Sequence, residues 1–579
     1  MKIKLILQSW VRNPFFWVGF LSVLLRLPGL AWGLPASDGW DDDGVAPRNF
    51  LVGLAQTYAP GAYFTYPPLH MVWLALLGLP AIAMALLHAP TLTQHDVIAE
   101  FIHVPYMTFF ALTARLLSLV MSVATIAMIG KLTEKIAGRM AGVCAAATCA
   151  LDAALVYYGQ VSNLDGPYLF WAVLAVWFWV RVLVDGQLQK LRWVIMAMVA
   201  AVTTKDQAYA VFLLPLPVSL VYWIMRDPIA RRNRGAILRA TLGWGSVGAV
   251  LLLLIDGALT NPTGFARRLA FLRGPASQDY AAYTPDLAGH LRLFADMALS
   301  FPRFYPGFGL VLAVLGGVLM WRRSRGQPAL RAAGFVPALA VVSFTVFFNC
   351  VALRTDNRFL LPQSVFLAPY IGIAVSWLLT SARGGVLPIA RCGVAALAIM
   401  ALYQCMGLDA AMIDDPRYDA EYWMAGHVQA GAPVEAYGRN AFLPRLPAHA
   451  DVTRIDVIAL RRRNPMPGVR EVMEPFEQIE TRKPQLLVIP QFWVRDYLSP
   501  AGQPAPGYGR KRPTVEENQQ RDEKDRAFFS SLFGGEQPYH VAYVARYASS
   551  LWPVPQGYES LGQTVFLFER TPAALPVAP

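Results

Sequence analysis

The chain has 579 residues, 55% of them hydrophobic and only 15% charged, with a formal net charge of +12 and a mean hydropathy of +0.39. Water-soluble domains carry about a quarter charged residues, so this composition excludes an ordinary soluble enzyme and reads as a polytopic α-helical membrane protein. The Lys and Arg residues gather in short loops between apolar runs, as topology signals do, so the positive charge does not predict a nucleic-acid partner.

At the N-terminus Lys2, Lys4 and Arg12 precede an apolar run from Phe15, which Arg26 interrupts with no convincing cleavage site after it. An uncleaved anchor is expected. Apolar segments at 15–34, 106–130, 139–158, 166–184, 191–204, 207–225, 236–257, 304–321, 333–353, 359–380 and 386–406 are eleven candidate spans, and the region 67–105 extends the expected number to between eleven and thirteen. Most approach the ~20 residues a bilayer core requires; 191–204 is short enough to be broken or tilted. The basic connections KLTEKIAGR (131–139), RVLVDGQLQKLR (181–192), RDPIARRNRGAILR (226–239) and WRRSRGQPALR (321–331) are the cytoplasmic candidates. Eleven spans with the N-terminus inside then place the C-terminal part outside. Residues 67–88 are apolar enough to span, but a simple span there would reverse every later loop. They are therefore read as a membrane-surface or re-entrant helix, or as one arm of a hairpin with 97–113.

From Gly407 hydropathy falls, and strand-like runs at 433–438, 485–490, 540–547 and 564–570, with a helical pattern at 417–430, predict an outward-facing α/β domain over 407–579. Residues 497–527, rich in Pro, Gly and mixed charge, read as an exposed insertion. All five cysteines lie in or at the ends of apolar segments, which argues against a disulfide framework.

Polar residues collect on the predicted outer side. The loop over 37–66 opens on Asp41, Asp42 and Asp43, continues through a weakly amphipathic stretch (45–59) and ends on TYPPLH (65–70). Asp165, Lys205, Asp206, Arg354, Asp356 and Arg358 fall on the same side. Asp before a helix is also a good N-cap, and long cations at helix ends also snorkel. Several such groups of both signs facing one compartment are better explained by a polar site near the membrane surface. The carboxylates suit a general base or a hard divalent cation (Mg, Mn or Zn) on Asp41–Asp43; Lys205, Arg354 and Arg358 suit a phosphate. His70, His88, His95 and His103 lack close metal-ligand spacing, and no P-loop or GxGxxG signature stands out.

The acidic pair after the first membrane helix, the amphipathic loop helix and the YPPL approach to the next apolar segment resemble the GT-C glycosyltransferases, in their protein mannosyltransferase and aminoarabinose transferase-like branch. So do TARLLSLVMSVATIAMIGKLTEKIAGRMAG (113–142), SNLDGPYLF (162–170), TTKDQAYAVFLLP (203–215) and NRFLLP (357–362), which arrive in that family's order across 15–405. The resemblance implies a membrane catalytic domain over 1–406 that transfers a sugar, with inversion, from a polyprenyl-phosphate donor to an envelope acceptor (lipid, glycan or protein) at the outer face of a bacterial inner membrane. Asp42 is then the general base, Asp43 the second acid, and Asp41 an alternative register. Asp165, with Tyr66 and His70, supports the acceptor side. The family's second acid is commonly Glu, and the aminoarabinose branch carries a lysine where this chain has Thr65 and Tyr66, so Lys205, Arg358 and Arg354 are left to bind the phosphate. A transporter or lipid-linked sugar flippase is the alternative; it predicts charges deep within helices and paired half-repeats, whereas these charges are interfacial and no repeat is evident.

Overall fold

The computed structural model describes residues 13–36, 39–41, 44–45, 49–274, 281–381, 386–456, 466–498, 516–553 and 555–572. The chain groups into two compact units: Met1–Leu30, Arg48–Leu79 and Leu112–Asp409 form the first, and Ala31–Pro47, Pro80–Ala111 and Ala410–Pro579 the second.

Among the described residues, eight helical segments are long and apolar enough to cross a membrane, and a ninth if the bent pair Leu69–Leu77 and Leu79–His88 is one span. The chain is a multi-pass membrane protein. Its burial pattern fits lipid as solvent: only 11% of the apolar window of Arg234–Ile255 is buried, so most of that helix presents apolar side chains outward. Such a surface is costly in water and costs nothing against acyl chains. Asn357–Ser381 is the opposite case, with 83% of its window buried, and is an inner helix.

Three of the apolar segments expected to span are shorter helices among the described residues. Arg139–Ala150 and Leu191–Val202 have 12 residues each and Gly309–Arg323 has 15. The apolar run 139–158 is divided by Asp152, whose carboxylate accepts the Ala154 and Leu155 N–H groups at 3.0 and 3.2 Å and starts a new short helix. The 67–88 segment breaks after Leu77 with a 62° bend; Pro80, two residues beyond the break, has no N–H to continue the helical ladder.

The inner helix of the first unit packs through small residues. Gly372 meets the backbone of Ala145, and Gly316 meets the Tyr370 carbonyl, so closely that a Cβ on either glycine would collide with main-chain atoms. Without a hydrophobic drive between helices in lipid, such close approach is what gains dispersion contact.

The second unit contains a six-stranded sheet: β1 (Pro433–Tyr437), β2 (Asp451–Asp456), β3 (Arg470–Met473), β4 (Leu486–Pro490), β5 (Tyr539–Ala545) and β6 (Val565–Arg570). The spatial order is β3-β2-β1-β4-β6-β5, parallel from β3 to β4, with β6 antiparallel to both β4 and β5. An aromatic core of Tyr437, Phe476, Trp493, Phe528 and Phe529 and a smaller aliphatic core around Met424, Val434, Ala436 and Val488 fill the space between sheet and helices. The four strands expected from the sequence are present, and β2 and β3 are additional. Their polar residues hide them: Arg454 pairs with Glu471 at 2.8 Å across the two strands, so a buried charge takes the place of apolar alternation. Residues 516–527 of the expected insertion belong to the helix Glu516–Phe533, and 499–515 lie outside the described residues.

Gly316→Val is expected to destabilise the protein by about 1–3 kcal/mol through overpacking. Gly317→Val, where an added Cβ meets nothing, should leave the thermal unfolding midpoint in detergent nearly unchanged.

Candidate active site

The helix Leu191–Val202 ends in a buried polar turn, Thr203–Thr204, after which Lys205 takes an extended backbone and begins the 3₁₀ turn Asp206–Val211. That conformation accompanies an ion pair between Lys205 Nζ and Asp165 Oδ1 at 2.7 Å, with the lysine side chain 15% exposed and the carboxylate fully buried. Asp165 is the first residue of Asp165–Asp185, where a carboxylate suits the helix dipole, and its N–H donates to Asn163 Oδ1 at 2.8 Å. Gln207 donates to the same carboxylate oxygen at 3.2 Å and to the Tyr168 hydroxyl at 3.0 Å. The other oxygen, Asp165 Oδ2, is buried with no hydrogen-bond partner among the described residues.

The TYPPLH segment lies against this turn. Leu69 N–H donates to the Thr203 carbonyl at 3.0 Å, Tyr66 is exposed, and His70 is buried with its Nδ1 unpartnered among the described residues. Asp165, Lys205 and the segment carrying Tyr66 and His70, far apart in sequence, are thus brought together.

Arg354 and Arg358 form a second group at the start of Asn357–Ser381. Both guanidinium groups stack on the Phe359 ring, 4.5 and 4.6 Å from its centroid, and Arg354 also pairs with Asp356 at 3.0 Å. Asn349 holds the turn by donating to the Arg354 and Phe359 carbonyls at 3.0 and 3.1 Å. Tyr283 bridges the preceding loop to it, bonded to Asp296 at 2.8 Å and Thr355 at 2.7 Å; burial pushes this phenol up to about 12. The two groups are connected, because Tyr209, on the turn that follows Lys205, donates to the Phe347 carbonyl at 3.0 Å within the same turn region as Asn349.

Sequence reasoning missed Asn261 and Arg268. The Asn261 amide donates to the Ala62 carbonyl at 2.8 Å and the Gln56 carbonyl at 3.1 Å, and its oxygen accepts the Gly61 N–H at 2.8 Å. Arg268 is buried against Asp206, 3.9 Å from Asp256, and stacks on Phe64 at 5.0 Å. Together they fix the segment that follows the helix Asn49–Tyr58. The Asn-Pro pair at 261–262, a helix-start signal, was legible.

In the second unit Asp41 is buried, while Asp42 and Asp43 lie outside the described residues. By contacts, Ala31–Pro47 groups with the C-terminal residues. The reason is a cluster around the helix Pro416–His427. Trp32 Nε1 donates to Asp415 at 3.0 Å, Trp40 lies 4.9 Å from the Tyr418 ring, and Arg417 stacks on Trp40 at 4.1 Å. Asp415 and Arg417 are themselves a fully buried bidentate pair at 2.8 and 2.6 Å, and Arg445 donates to the Leu34 carbonyl at 2.9 Å. Among the described residues no three His, Cys, Asp or Glu side chains come together as a metal set. The divalent cation expected on Asp41–Asp43 rests largely on residues outside them.

No protein-family model matches the chain, and no curated protein does. Solved structures are similar along nearly the whole length. ArnT from Cupriavidus metallidurans in the apo state shares 14% identity, covering 97% of this chain and 98% of that one, with a TM-score of 0.48. The same protein bound to undecaprenyl phosphate shares 13% identity over 95% and 98%, TM-score 0.47. The archaeal oligosaccharyltransferase AglB from Archaeoglobus fulgidus, in complex with an inhibitory peptide and a dolichol-phosphate, shares 12% over 96% and 88%, TM-score 0.44.

Removing one member of the Asp415–Arg417 pair leaves an uncompensated buried charge. Arg417→Met is expected to cost about 3–5 kcal/mol, and the double change Asp415→Asn with Arg417→Met to recover part of it. Denaturant unfolding of the full chain reads both.

Proposed function

We propose that this protein is a GT-C-type glycosyltransferase that moves a sugar from a polyprenyl-phosphate donor to an envelope acceptor: a lipid, a glycan or a protein. The observation that carries the reading is the Lys205–Asp165 pair, tied to TYPPLH and linked to the stacked Arg354 and Arg358, at the ends of apolar helices. Cations set beside carboxylates at a hydrocarbon boundary suit a ligand that is a phosphate at one end and an apolar chain at the other.

Chemically, a sugar or lipid hydroxyl is too weak an acid to attack unaided. In the proposed reaction a carboxylate of the run Asp41, Asp42, Asp43 takes its proton as the oxygen attacks the anomeric carbon from the face opposite the leaving group, inverting it. The bond from that carbon to the phosphate oxygen breaks, and the polyprenyl phosphate leaves with the added negative charge. Lys205, Arg354 and Arg358 stabilise that charge, while Asp165, Tyr66 and His70 lie on the acceptor side. We further propose a membrane catalytic part through residue 406 and an α/β domain from 407, with the N-terminus cytoplasmic, the site and the C-terminal domain periplasmic, and the protein in a bacterial inner membrane.

Protein in lipid nanodiscs, given a panel of polyprenyl-phosphate sugars and an envelope extract, should release polyprenyl phosphate. Asp42→Asn should slow release by about 100-fold or more, and Lys205→Met by a similar factor. Equal release from wild type and from a variant with all three aspartates changed to Asn removes them from the mechanism. Adding EDTA and then Mg, Mn or Zn to the same assay reads whether a divalent cation takes part. A cysteine-accessibility map should place residue 135 inside and residue 430 outside; the reverse overturns the orientation.

A further inference from the structure

The end of the Asp206–Arg226 segment remote from Lys205 carries a second polar feature that the proposed reaction does not use. The segment has 21 residues, so its two ends are roughly 30 Å apart, one bilayer core. At the far end is a cavity of about 500 Å³ lined by Tyr222, Arg226, Trp321, Ser324, Gln327 and Arg331. Arg226 also lines an adjoining cavity of about 380 Å³ with Arg231 and Arg232.

The charge of this place is unbalanced. Arg226 is exposed and makes no ion pair or hydrogen bond among the described residues, while Arg331 stacks on Trp321 at 4.3 Å with its Nε 3.5 Å from Ser324 Oγ. The one carboxylate lining either cavity, Asp227, is occupied at the start of a short helix, accepting the Ile229 and Ala230 N–H groups at 3.0 and 2.9 Å. Two guanidinium groups therefore face one cavity with no acid to neutralise them. Apolar surface runs up to it from the membrane side: Val218, Val221 and Met225 on one helix and Val311, Val314 and Val318 on the other are all exposed. Trp321 and Tyr222 sit at the junction, where amphipathic rings favour the headgroup level.

We infer that this cavity binds the phosphodiester headgroup of an anionic bilayer phospholipid, held by Arg226 and Arg331, with the acyl chains along the exposed valine faces. Guanidinium groups bind phosphate in bidentate fashion, and each basic residue near an anionic surface contributes about fivefold in affinity. A soluble phosphate would use the arginines but not the apolar faces, which is why a lipid is the ligand.

Purified full-length protein, delipidated in neutral detergent, is titrated with phosphatidylglycerol, phosphatidylcholine, polyprenyl phosphate and inorganic phosphate, with retained ligand read by native mass spectrometry. Phosphatidylglycerol should be retained about tenfold better than phosphatidylcholine, and Arg226→Gln with Arg331→Gln should abolish that preference. Arg226→Gln alone, at an exposed side chain, should lower it about fivefold with the unfolding midpoint unchanged. Arg234→Gln with Arg239→Gln, in the first turns of the following helix Arg234–Ile255 and outside the cavity, should leave it intact. Equal loss in that control marks general surface charge and overturns the site. So does equal retention by the double variant, displacement by inorganic phosphate as readily as by phosphatidylglycerol, or stronger retention of polyprenyl phosphate. Transferase activity is read separately, so its presence or absence does not bear on this result.

Discussion

In hydrocarbon a helix gains nothing by hiding leucine from lipid, so the arrangement of the first unit depends on how closely backbones approach. The helix Asn357–Ser381 is where this constraint is tightest. Gly372 lies on Ala145 and Gly316 on the Tyr370 carbonyl, contacts that only glycine permits. The two contacts lock three helices, Arg139–Ala150, Gly309–Arg323 and Asn357–Ser381, into fixed rotation about their axes. Because the last of these begins with Asn357 and Arg358, its rotation also sets where Arg358 and Phe359 point. Packing in the apolar layer and the position of a charged group at its edge are one problem.

The charged groups follow from a second constraint, that an ion at a helix end needs either water or a counter-ion. Asp165 has no exposed surface, and Lys205 and Gln207 compensate its carboxylate. Arg268 is equally buried and is balanced by Asp206 and Asp256. Beside this cluster, Asn261 bonds the segment around Ala62. Lys205 and Asp206 are adjacent in sequence, yet one belongs to the candidate site and the other to its scaffold.

How much of this was legible depended on whether the signal was local. Long apolar runs such as 234–255 and 357–381 declare themselves, because a bilayer demands them continuously. Breaks were less legible: Asp152 inside an apolar run looks like one tolerated polar residue until its carboxylate is seen capping the next helix. The residues proposed for phosphate, Lys205, Arg354 and Arg358, could be named because charge at the end of an apolar run is conspicuous. Their partners could not. That Lys205 reaches Asp165, forty residues earlier, is a tertiary fact, as is the packing of the local Asp415–Arg417 pair against Trp32 and Trp40. Composition placed the loop after the first helix near the membrane, and no local pattern reveals that its first half packs against a helix beginning at Pro416. Strands β2 and β3 were hidden for the same reason, since the buried Arg454 is paired with a partly buried Glu471 that neither strand discloses alone.

The resting state of the candidate site also bears on how a phosphate would enter it. Lys205 and Arg354 are each already paired with a carboxylate. A partly buried ion pair, however, roughly breaks even between Coulomb attraction and desolvation, so exchanging one anion for another need not be uphill. Among the described residues Asp165 Oδ2 has no partner, so Lys205 and Gln207 satisfy only one of the two carboxylate oxygens. Arg358 stacks on the ring that Arg354 shares, so one Phe359 ring positions both guanidinium groups. Asp165 and Asp356 keep the cations ordered and their charge balanced at a low-dielectric edge; in the reaction proposed above, an incoming phosphate takes over that role. Lys205 would then swing on its flexible stem while the two arginines stay where Phe359 holds them.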